Sequence, residues 1–166
     1  MWRYSREKKY LIVSLIVLIL DGIIVYYFPS YFNKINYFYP MLTLSLIPFL
    51  YHDNLKKYYY YLFILGILYD IAYTDIFLYN AIIFLLLGII DTKIMQYFKN
   101  SLLVLLLLVL LNILLYDSIS FILIIVTNYQ LVTINDLIFK LSHSILLNIM
   151  SVFVYFFLFK KKRYLT

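Results

Sequence analysis

Cysteine is absent from this chain of 166 residues, which excludes disulfides, thiol catalysis, thiolate metal sites and a cysteine-anchored lipid. Charge is scarce: 13% of residues are Asp, Glu, Lys or Arg, against ~25% in a soluble domain. Too few polar side chains remain to coat a surface facing water. Small residues are scarcer still, with three glycines and two alanines beside 20 Tyr and 14 Phe. The two histidines, His52 and His143, lie far apart in the chain, so no metal cluster is expected, and no cofactor either.

What is present is apolar. Hydrophobic residues make up 66% of the chain and its mean hydropathy is +0.94, values that predict an all-α integral membrane protein forming a single membrane domain. Apolar runs place helices at about 10–28, 37–51, 58–73, 76–90, 102–128 and 137–159. The first follows the basic stretch MWRYSREKKY and has no small-residue cleavage site after it, so it reads as a retained helix. The fifth, at 1.5 Å per residue, is longer than the ~30 Å hydrocarbon core; it must tilt, protrude or break near Asp117-Ser118. The third and fourth are short, and read either as two crossings or as a re-entrant hairpin.

Six spans put both termini on one side, and the basic residues agree. Of 14 Lys and Arg, all but Lys34 and Lys140 fall on that side: Arg3, Arg6, Lys8, Lys9, Lys56, Lys57, Lys93, Lys99, Lys160, Lys161, Lys162 and Arg163. The positive-inside rule makes that side cytoplasmic. The net charge of +6 therefore belongs to membrane edges, and no nucleic-acid partner is expected. Tyr58 to Tyr61, next to Lys56 and Lys57, read as an interfacial aromatic belt.

Polar residues inside spans face protein or a water-filled cavity, because a charge at the bilayer centre costs ~2.5–3.5 kcal/mol. Asp21, Asp117, Lys140, His143 and Asn148 form a candidate polar cluster, most of it in the outer half of the bundle. It reads either as a binding site or proton relay, or as glue between helices. No catalytic residue is assigned. An intramembrane aspartyl protease needs two facing carboxylates that share a proton, and Asp117, in LLYDSIS, lacks the flanking glycine of such a site. No Gly-x-Ser arrangement with a partner histidine occurs either.

The stretch GILYDIAYTDIFLYNAIIFLLLG, residues 66–88, is the most specific part of the chain. A glycine, three apolar residues and an aspartate, then a turn and an Asn-Ala pair opening an apolar helix, resemble the rod shape-determining protein MreD family. Gly66, Asp70, Asn80, Ala81 and Gly88 carry that resemblance. The family commonly has a glycine two residues before the asparagine, where this chain has Leu78.

The resemblance implies a non-enzymatic scaffold of the bacterial cell-elongation machinery in the cytoplasmic membrane. Such a scaffold binds the single-span protein MreC and is linked through it to MreB filaments and peptidoglycan synthases. It also implies a fold like the six-helix S components of energy-coupling-factor transporters. That fold brings a rival function, binding of a vitamin or small solute. S components dock their coupling protein through alanines on the first helix, and LIVSLIVLILDGIIVYY has none.

Overall fold

The structure, a computed structural model, describes residues 2–27, 46, 54–74, 76–98, 101–127 and 133–159. Five α-helices fill these segments, and no strand occurs among the described residues. They are α1 (Trp2–Tyr27), α2 (Leu55–Tyr73), α3 (Tyr79–Tyr97), α4 (Leu102–Thr127) and α5 (Ile134–Phe159). The helix expected at 37–51 lies outside the described residues except for Leu46, which is fully buried.

Local chemistry sets most of the helix starts. The Asn54 side chain accepts from the backbone N–H of Lys56 and Lys57 at the start of α2. The Ser101 hydroxyl accepts from Val104 N–H before α4. At α5, Thr133 and Asp136 cap each other: Asp136 Oδ2 accepts from Thr133 N–H and Oγ1, both at 2.8 Å. Those bonds favour the ionised acid and hold Asp136 below the usual carboxylate range.

Three boundaries differ from the hydropathy reading. Helix α1 starts at Trp2 rather than near 10, because an apolar run marks where lipid begins, not where the hydrogen-bond ladder begins. Helix α3 runs to Tyr97, about two turns beyond the apolar run, since Asp91 and Thr92 are taken into the protein interior. Helix α4 is unbroken through Asp117-Ser118; the Asp117 carboxylate meets a lysine on α5 instead of competing for its own backbone.

The helices pair as two hairpins, α2 with α3 and α4 with α5; α1 packs on α2, and α4 meets α3. Their interior carries a polar set: Ser14, Asp21, Asp70, Asn80, Asp91, Thr92, Asn112, Asp117, Asn148 and Ser151 are all buried. Large apolar residues lie outside, among them Leu15 and Ile19 on α1, Ile71 on α2, Leu107 and Ile122 on α4, and Met150 and Phe153 on α5. Helices α3 and α4 are long and apolar enough to cross a membrane. Tyr58 departs from the expected interfacial belt: it is fully buried, against Gly88 of α3.

The two glycines of the α2–α3 contact do different work. A Cβ on Gly66 would lie 2.3 Å from Ala81 Cα and 2.6 Å from Ala81 N, both backbone atoms. A Cβ on Gly88 would meet Leu62 Cδ1, the end of a flexible side chain. Gly66→Ala therefore forces the helices apart and destabilises the detergent-solubilised protein by ~1–3 kcal/mol, whereas Gly88→Ala costs less because Leu62 can rotate. Thermal unfolding of the two variants checks this; an equal or reversed order would contradict the packing described.

Candidate functional site

Helix α3 begins with no side-chain cap of its own. Its N-cap residue, Leu78, is left-handed at φ 67 and makes no side-chain cap bond. The first N–H groups of a helix have no partner within it, and here Asn80 and Ala81 are fully buried. Asp70, in the last turn of α2, supplies the acceptors. Its Oδ1 accepts from Asn80 N–H and from Asn80 Nδ2, both at 2.9 Å, and its Oδ2 accepts from Ala81 N–H at 3.2 Å. The Thr74 hydroxyl adds a third donor to Oδ1 at 3.1 Å.

A carboxylate suits this position twice over. Charge-assisted bonds to backbone N–H are roughly twice as strong as neutral ones, and the positive end of the helix dipole offsets the charge. Gly66 lies one turn earlier on α2, under the Asn80–Ala81 backbone, and only a residue without Cβ lets the acid come close enough. Gly66, Asp70, Asn80 and Ala81 thus form one structural unit. Gly88 belongs to the same helix pair, two turns further along α3 from Ala81.

The unit extends to α4. The Tyr116 hydroxyl donates to Asn80 Oδ1 at 3.0 Å, and Tyr79 OH and Ser120 Oγ lie 2.6 Å apart. Of the expected polar cluster, Asp117 is fully buried and its Oδ1 takes an ion pair from Lys140 Nζ at 2.9 Å. Asp21, on α1, is buried as well. The Tyr73 hydroxyl of α2 donates to Leu18 O at 2.5 Å, its ring filling the space that Gly22 leaves.

Asn148 is fully buried but stands eight residues beyond Lys140 on α5, ~12 Å along the axis, at a different level from the Asp117–Lys140 pair. The side chain of His143 lies outside the described residues.

A second polar unit was hidden by taking the membrane edge at residue 90. Asn112 Nδ2 donates to Asp91 Oδ2 at 2.9 Å, with both residues fully buried. Beside them Tyr59 OH and Thr92 Oγ1 lie 2.8 Å apart. The signal was in the spacing. The buried residues of α3 include Asn80, Ala81, Ile83, Phe84, Leu87, Gly88, Asp91 and Thr92, one stripe with the helical period. Asp91 continues that stripe and does not leave it.

Asp70 and Asp117 are thus each engaged on a neighbouring helix, by backbone amides and by a lysine respectively. Among the described residues no three His, Cys, Asp or Glu side chains converge as a metal would need. What the arrangement does chemically is to join α1 to α2, α2 to α3, α3 to α4, and α4 to α5 by polar bonds in an apolar setting.

Replacing Asp70 separates its parts. Asp70→Leu leaves the N–H groups of Asn80 and Ala81 buried without acceptors, at ~1–3 kcal/mol each. Asp70→Asn keeps one oxygen and turns an amide toward one donor, at the cost of about one such group. Thermal unfolding in detergent should rank wild type, Asn and Leu in that order; a Leu variant as stable as the Asn variant would contradict the capping role. No known protein family, curated protein or solved structure matches this chain.

Proposed function

We propose that this chain is a multi-pass protein of the bacterial cytoplasmic membrane. In this reading it is a non-enzymatic scaffold of the cell-elongation machinery, as its resemblance to the MreD family implies. The observation that carries the membrane reading is the apolar exterior: large aliphatic residues are exposed all along the helices, while carboxylates and amides are buried beside an apolar core. In lipid, such an exterior needs no covering and buried polar groups bind helices together.

Length supports full crossings by the α2–α3 hairpin. Each of its helices has 19 residues, ~28 Å at 1.5 Å per residue, close to the ~30 Å hydrocarbon core. Lys56 and Lys57 at the start of α2, and Lys93 near the end of α3, mark the cytoplasmic end. With the segment at 37–51 as a sixth span, both termini are cytoplasmic.

The scaffold reading is favoured by what the buried polar groups do: Asp70, Asn80, Tyr116, Asp117 and Lys140 are bonded from helix to helix. A fold fixed in this way offers its apolar outer faces to a partner helix, here an MreC-like single-span protein. Through that protein the scaffold meets MreB filaments and peptidoglycan synthases.

The test is gentle solubilisation of the tagged protein from its native membrane, followed by mass spectrometry of what accompanies it. Recovery of a single-span protein with a periplasmic coiled coil, together with wall synthases, is expected. Recovery of ATPase subunits with a transmembrane coupling protein would overturn the scaffold reading in favour of solute uptake.

A further inference from the structure

The bond between Asp91 and Asn112 leaves something over. Asp91 Oδ1 and Asn112 Oδ1 are both buried, and neither meets a hydrogen-bond donor. Two acceptors without a donor, in a site closed to solvent, are an incomplete arrangement, since buried polar atoms are nearly always paired. The carboxyl and amide groups are planar and already joined by one N–H···O contact. A single proton on the free carboxyl oxygen would supply the missing donor, letting the acid O–H pair with the amide oxygen while the amide N–H donates to the acid carbonyl.

We propose that Asp91 and Asn112 form a proton-binding site, in which a neutral carboxylic acid and an amide pair through two hydrogen bonds to join α3 to α4. The groups around it fit a neutral acid. From α2 come Tyr58, which is fully buried, and Tyr59, which is engaged with Thr92. From α4 comes Asn112. Lys93, two residues along α3, is exposed and makes no ion pair with Asp91.

The contrast with Asp70 and Asp117 is direct. Asp117 has a lysine and Asp70 a helix N-terminus, so each is provided for as an anion, whereas Asp91 has one amide. A trapped water also supplies two donors, but it leaves an uncompensated anion in an apolar interior, which is far costlier than a neutral acid. The site is full when protonated, and raising the pH through its titration removes one of its two bonds and introduces a charge between α3 and α4.

Infrared difference spectroscopy of the whole protein in lipid reads the proton directly. At neutral pH the spectrum of wild type minus Asp91→Asn should show loss of a carboxylic-acid carbonyl band, with no loss of carboxylate bands. Asp21→Asn serves as the control that assigns the band to Asp91. Loss of a carboxylate band in Asp91→Asn would overturn the proposal and favour water or a cation between the two oxygens.

Should Asp91→Asn fail to fold, Asn112→Ala decides the matter. Removing the amide partner should move the acid carbonyl band of the otherwise unchanged acid, and a spectrum with no acid band that responds to it would equally overturn the proposal.

Discussion

A helix whose first N–H groups are buried must find acceptors for them, and the α2–α3 hairpin is built around one answer to that constraint. Asp70 reaches from the end of α2 to the start of α3 and accepts from two backbone N–H groups and one side-chain amide. Everything near it follows from the need to bring that acid close. Gly66 removes the Cβ that would strike Ala81. Leu78 takes a left-handed conformation, which costs a residue with a Cβ ~1–2 kcal/mol, so that the chain can turn and present Asn80 and Ala81 to the acid. Asn80, oriented by its donation to Asp70, then offers its carbonyl oxygen to Tyr116 and brings in α4.

The contact between α3 and α4 carries polar bonds towards both ends: Tyr79 with Ser120 and Asn80 with Tyr116 at one, and Asp91 with Asn112 at the other. In water such a seam would compete poorly with solvent. In lipid, where apolar packing between helices gains little over packing against acyl chains, hydrogen bonds and close fit decide which helices associate and in what register. The ion pair between Asp117 and Lys140 does the same for α4 and α5. Polar residues that look expensive one at a time in the sequence become the specification of the fold once each has its partner.

The helical class was legible because long apolar runs leave few alternatives, and Asp70 stood out because a carboxylate in an apolar run needs a reason. The partner of that carboxylate was less legible. It is the backbone of α3, and backbone groups carry no mark in the sequence except through the turn that exposes them. Asp91 was obscured by an edge effect: it follows the apolar run, and so reads as the border of the membrane. Its place in the 80/81, 83/84, 87/88, 91/92 stripe marks it as interior. Tyr58 was obscured in the same way, since a tyrosine next to two lysines fits an interface as readily as a core. Leu78 shows the limit of composition, for nothing in a leucine announces a positive φ.

In the proposed reading the bundle crosses a membrane, with the Asp70 unit near the outer face. The absence of cysteine makes a direct measurement simple. Single cysteines placed by Asn54→Cys, at the lysine-marked end of α2, and by Phe77→Cys, at the exposed tip of the α2–α3 hairpin, can be labelled in intact cells with a membrane-impermeant maleimide. The account predicts that the tip is labelled from outside, while the position at Asn54 is labelled only after the membrane is opened. Labelling of both positions from the same side would mean that α2 and α3 return without crossing, and would contradict the account.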